Sequence, residues 1–83
     1  MGKPTKEDII LLFLEDPKKL AYEIWDKNVP KSDEIRTLIC ELGDARCAYC
    51  YAIQIDKRYT DETRAVCCKD PTESYWYDYF LVG

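Results

Sequence analysis

Apolar residues in this chain recur in short bursts at three- and four-residue spacing, and each burst is bounded by residues that start or stop a helix. Thr5-Lys6-Glu7-Asp8 has the form of a capping box. It predicts a first helix that runs to about Glu15 and holds Ile9-Ile10-Leu11-Leu12-Phe13-Leu14. Asp16-Pro17 supplies a capping carboxylate and then a proline at the first helical position, where its missing N–H costs nothing. The second helix so begun carries Leu20, Ala21, Ile24 and Trp25 as its inward stripe and stops at Asn28-Val29-Pro30. Ser32-Asp33-Glu34 opens a third helix, with Ile35, Leu38, Ile39 and Leu42 inward and Gly43 as its stop. Asp44 caps a fourth, which turns Cys47, Ala48, Tyr51 and Ile55 inward. Thr60-Asp61-Glu62 opens a fifth containing Ala65, Val66 and Cys67, and Asp70-Pro71 starts a sixth. Period-2 alternation is confined to residues 52–55, so strands are disfavoured. The expected fold is all-α, with six short helices connected at residues 27–31 and 56–59 by loops of the length usual between packed helices.

The same punctuation recurs at a fixed interval. Asp16-Pro17, Gly43-Asp44 and Asp70-Pro71 are spaced by 27 residues, with Leu12, Ile39 and Val66 ahead of them in register. Ala21-Tyr22 is answered by Ala48-Tyr49, and by Ser74-Tyr75 if the last copy is one residue shorter. A period of this size marks stacked supersecondary units. The chain then reads as one helical domain, 1–83, made of three degenerate helix pairs with phases near 5–31, 32–58 and 59–83.

The unit Asp-Pro, Ala-Tyr-x-Tyr-Ala, a short basic-aromatic turn and an acidic-started helix resembles a tandem helical repeat found in many bacteriophage and related proteins. Its best copy here contains Ala48-Tyr49-Cys50-Tyr51-Ala52, Lys57-Arg58-Tyr59, Ala65-Val66 and Lys69-Asp70-Pro71. The first copy has Leu20-Ala21-Tyr22-Glu23-Ile24-Trp25, the last has Ser74-Tyr75-Trp76-Tyr77-Asp78, and the glycine usual in the turn is missing. The resemblance implies an α-helical repeat of phage origin and no activity.

Composition narrows the function classes. A net charge of −4, with Lys and Arg scattered among Asp and Glu, lacks the basic stripe of a nucleic-acid binder. The apolar run 9–14 is far too short to cross a bilayer and follows Lys6-Glu7-Asp8 without a signal-peptide cleavage pattern, so the expected location is the cytoplasm, that of the host if the protein is phage-encoded. The absence of histidine excludes Ser-His and Cys-His nucleophilic catalysis, and three glycines leave no phosphate-cradling loop. The carboxylates cluster at helix starts, where they act as caps and dipole partners. The expectation is a protein that is not an enzyme and has no cofactor.

Five cysteines are an odd count, expected to be free thiols in a reducing compartment. Cys47, Cys50, Cys67 and Cys68 could supply four thiolates to zinc, but Cys47 and Cys50 fall inside a helix and Cys67-Cys68 are adjacent, about 100° apart around their axis. In the repeat, Cys40 matches Cys67 and Cys47 matches Leu20, which makes all three packing positions. Cys50 matches Glu23 and Cys68 matches Glu41, so those two thiols are expected to be exposed.

Tyr75, Trp76, Tyr77, Tyr79 and Phe80 cannot share one buried helix face. They are the candidate partner-binding residues, because exposed Tyr and Trp dominate interface hot spots. The reading is a small, non-catalytic protein-interaction module, by resemblance a phage-encoded inhibitor or modulator of a host protein, with no nucleic acid or membrane partner. A thiolate-zinc module and a homo-oligomeric structural protein are the alternatives.

Overall fold

Each helix begins where a short polar side chain can satisfy the amide groups that a helix leaves unpaired at its start. The computed structural model describes residues 4–82; the ends of the expected domain, 1–3 and 83, lie outside the described residues. The helices are Lys6–Glu15 (α1), Pro17–Trp25 (α2), Asp33–Leu42 (α3), Ala45–Cys50 (α4), Asp61–Cys67 (α5) and Pro71–Tyr77 (α6). No strand occurs among the described residues, and the 52–55 alternation lies in helix. Thr5 and Asp8 form the reciprocal capping box, with Thr5 Oγ1 accepting from the Asp8 amide at 3.2 Å. Ser32 and Thr60 cap α3 and α5, and Asp16, Asp44 and Asp70 cap α2, α4 and α6. Substituting Asp16 or Asp70 with Ala is therefore expected to cost about 0.5–2 kcal/mol each. Urea denaturation checks this, with an exposed loop carboxylate as the reference.

Helix ends follow local chemistry too. Lys27 adopts φ 63° and the Asn28 amide donates to the Glu23 carbonyl, a six-residue closure that stops α2. Gly43 ends α3 at φ 79°, a backbone that side-chain-bearing residues adopt at a cost. The chain does not stop after α4 or α6. It widens into π-helical turns at Tyr51–Asp56 and Asp78–Val82, the first closed by the Lys57 amide on the Ala52 carbonyl at 2.8 Å.

α1 packs on α2, α2 on α4, and α4 on α5, with α3 and α6 lying against α4 and α5, in an elongated body of 36 × 20 × 19 Å. Ile9, Leu20, Ile24, Ile39, Cys47 and Tyr51 belong to one core cluster, while Ala48, Ala52, Val66, Cys67 and Tyr77 form a second. The middle helix, α4, serves both. Leu20 and Cys47, 27 residues apart, are fully buried, as are Ile24 and Tyr51.

Two tyrosines lock the pairs. Tyr51 Oη accepts from the Ser32 amide and donates to the Ser32 carbonyl, both at 3.0 Å. Tyr77 Oη accepts from the Thr60 amide at 3.1 Å, donates to the Thr60 carbonyl at 3.0 Å and shares a bond with Thr63 Oγ1 at 2.7 Å. In both cases a buried ring from the second helix of a pair pins the capping residue of the first. Arg36 supplies a third tie, from α3 to Asp56 Oδ2 at 3.4 Å and Glu62 Oε1 at 3.2 Å.

Two expectations, Trp25 inward and Cys50 exposed, are corrected. Trp25 and Ala65 face outward, because Ile24 and Val66 take the inward direction and the adjacent residue is turned about 100° away. Cys50 is buried rather than exposed. Glu23, 27 residues earlier, lies on α2, which packs on α1 and α4, whereas α4 packs on α2, α3, α5 and α6 and buries more of its circumference.

Candidate functional site

The C-terminal aromatics divide into one core residue and a surface set. Tyr77 is fully buried, so its expected place in an interface is corrected: the π turn that follows it and the Thr60 cap it bonds make it part of the second core. Tyr75, Trp76, Tyr79 and Phe80 are exposed by 62, 42, 62 and 56%. They hold one another. Trp76 meets Tyr75 and Tyr79 edge-on at 5.1 and 5.8 Å and stacks on Phe80 at 5.9 Å, and Tyr79 meets Phe80 edge-on at 5.1 Å. Such offset and perpendicular pairs are favourable and hold the rings in a defined arrangement.

Trp76 also faces the other way, into a groove of about 390 Å³ between α2, α4 and α6. Tyr22 and Trp25 of α2 line it with Trp76, Tyr49 and Cys50 of α4 lie deeper, and Glu73 of α6 is nearly buried beside them. Arg46 Nε reaches the Glu73 carboxylate at 3.4 Å. Trp76 thus belongs both to the surface rings of α6 and, across the groove from Tyr22 and Trp25 of α2, to the groove lining. Tyr22 and Trp25 escaped the sequence reading as site residues, although a signal existed. Tyr22, Tyr49 and Tyr75 are the tyrosines that recur one per repeat, next to the packing alanine or serine, and a residue beside an inward position points outward.

The zinc alternative gains no geometry. Among the described residues no group of three or more His, Cys, Asp or Glu side chains is gathered where it could hold an ion. Cys47, Cys50 and Cys67 are buried, Cys40 is half-buried and Cys68 is exposed, all as free thiols. Burial pushes Cys40 and Cys50 up to about 11 and Cys67 up to about 12, with Glu62 adding to the shift at Cys40 and Glu73 at the other two. Cys47 is pushed up by burial as well, and Asp44 raises it further. At pH 8 a thiol with pKa near 11 is ionised in only about one molecule in a thousand, and the thiolate is the nucleophile. The expected result of native-state alkylation at pH 8 is rapid labelling of Cys68 alone, with all five labelled after unfolding. Mass spectrometry of the labelled peptides checks this, and rapid labelling of Cys47 or Cys67 would contradict it.

Compared with known proteins, the chain matches no family model, no curated protein sequence and no solved structure. No helix among the described residues is long and apolar enough to cross a membrane.

Proposed function

We propose that this protein is a non-catalytic interaction module that binds another protein through the aromatic face of α2 and α6. The observation that carries the reading is the exposure of Tyr22, Trp25, Tyr75, Trp76, Tyr79 and Phe80, each left 42–66% exposed on and beside the groove between α2 and α6. An aromatic side chain buries 150–250 Å² on full burial, so these six leave on the order of 500–800 Å² of ring surface in water. That is at or above the largest apolar patch of a typical monomer, and similar to the ~800 Å² that one side of a standard protein interface covers. Rings already held by mutual stacking also lose little conformational freedom on binding. The resemblance to bacteriophage helical repeats supports a phage-encoded inhibitor or modulator that meets its host protein in the cytoplasm.

The test compares the wild-type protein with a Trp76→Ser/Phe80→Ser variant, both immobilised and challenged with host extract. The reading expects a protein captured by the wild type and lost by the variant, while circular dichroism shows both folded. Identical capture by the two proteins would overturn it. Sedimentation of the purified wild type separates the homo-oligomeric alternative, in which the same double substitution turns a dimer into a monomer.

A further inference from the structure

We propose that the groove between α2 and α6 receives a cationic side chain, lysine or arginine, from a basic segment of the partner protein; this rests on the reading of the aromatic face as an interface. The first support is Glu73. Its side chain is 9% exposed and its carboxylate makes one ion pair and no hydrogen bond. That one partner, Arg46, is itself 63% exposed and approaches from the solvent side. An ionised carboxylate has about four acceptor positions, so a nearly buried one with a single loose partner has capacity left for a donor cation.

The walls supply the second support. Trp25, Trp76, Tyr22 and Tyr49 line the same groove, and the face of an aromatic ring attracts a cation through its quadrupole. An aromatic enclosure with a carboxylate inside it is a site for an organic cation, whose alkyl stem packs on the rings while its charge meets the acid.

The sign of the field agrees. Burial raises the Tyr49 phenol, and the charge of Glu73 raises it further. At Cys50, after burial, Glu73 raises the thiol by more than Arg46 lowers it. Glu73 thus acts on both of these groups in the same sense, although two cations, Lys18 and Arg46, also line the groove. An anionic ligand reaching this depth would meet the Glu73 carboxylate. The net charge of −4 attracts basic partners at longer range.

A cationic ligand competes with Arg46 for Glu73, whereas an anionic one would use Arg46 as its anchor, so the two give opposite responses to one substitution. The chain has two tryptophans, Trp25 and Trp76, and both line the groove, so intrinsic tryptophan fluorescence reports on this site alone. The experiment titrates the whole protein with capped glycine-serine octapeptides carrying one lysine, one arginine or one glutamate. A saturable fluorescence change is expected with the lysine and arginine peptides and none with the glutamate peptide. Glu73→Gln should weaken the cationic peptides by about tenfold or more, the scale of a lost hydrogen bond to a charged group. Arg46→Gln, which keeps a polar side chain at a position 63% exposed, should tighten them by about threefold, with circular dichroism confirming that the variant is folded.

Tighter binding of the glutamate peptide, weaker binding of the cationic ones in Arg46→Gln, an unchanged affinity in a folded Glu73→Gln protein, or no saturable change with any peptide would overturn the proposal. If the cationic peptides fail while Trp76→Ser/Phe80→Ser still abolishes partner capture, the groove proposal falls and the interface reading stands. If capture survives that double substitution, the interface reading itself has failed.

Discussion

Arg36→Leu is expected to lower folding stability by about 3–5 kcal/mol, the range for removing one partner of a buried ion pair. The Arg36 side chain is 10% exposed and Asp56, at the end of the π turn after α4, is 2% exposed. Nη1 of Arg36 reaches Asp56 at 3.4 Å and Asp33 at 3.0 Å, and its Nε reaches Glu62 at 3.2 Å. Asp33 and Glu62 can turn to water when the guanidinium is lost, because their side chains are 84% and 43% exposed. Asp56 cannot. It would be left as a buried carboxylate without its cation, and that penalty, more than the attraction lost, sets the size of the effect. Accordingly, Asp56→Leu in the Arg36→Leu background should recover most of the loss, since an apolar pair in place of a buried ion pair is often neutral. Urea denaturation of the two singles and the double gives the coupling directly. A loss below about 1 kcal/mol for Arg36→Leu would mean that the pair carries little of the docking of α3 on the π turn after α4.

Tyr77→Ala should cost about 3–5 kcal/mol, as deletion of a fully buried aromatic ring does. Tyr77→Phe separates ring from hydroxyl. The phenylalanine fills the same space but leaves the amide and carbonyl of Thr60 without the hydroxyl that bonds both, at a cost of about 1–3 kcal/mol. Tyr51→Phe should behave alike, because Tyr51 performs the same service for Ser32. Tyr75→Ala and Tyr79→Ala, at positions 62% exposed, should change stability by no more than about 0.5–1 kcal/mol. Thermal or chemical unfolding of the five variants checks the contrast. Equal losses at Tyr77 and Tyr79 would contradict the division of these rings between core and surface.

The helix starts were legible because capping is local chemistry. Thr5, Asp16, Ser32, Asp44, Thr60 and Asp70 all act as the caps their neighbours in sequence suggested. The inward stripes of α3 and α4 were legible from spacing and the repeat, and so was the exposure of Cys68. Cys50 and Tyr77 were not legible, for two different reasons. A 27-residue match carries burial across only when both positions have the same neighbours, and α4 packs on α2, α3, α5 and α6 where α2 packs on α1, α4 and the π turn after α4. Which ring of an all-aromatic helix turns inward depends on where a distant cap needs a hydroxyl, and Thr60 is 17 residues from Tyr77. Arg36 and Asp56, 20 residues apart, likewise gave no local sign of their pairing. The groove is built from three helices and exists only after they pack, so the sequence showed its tyrosines but not their meeting with Glu73.

The proposed function requires core and binding face to be separate, since a ring used for folding is not free to be covered by a partner. Here the division runs between successive residues: Tyr77 faces the core, while Trp76 joins Tyr22 and Trp25 on the surface. Hydroxyl-radical footprinting of the captured complex against the free protein reads that face residue by residue. The account predicts strong labelling of Tyr22, Trp25, Tyr75, Trp76, Tyr79 and Phe80 in the free protein, loss of labelling centred on Trp76 and its ring neighbours in the complex, and Tyr77 unlabelled in both. Undiminished labelling of Trp76 and its neighbours in the complex would contradict it.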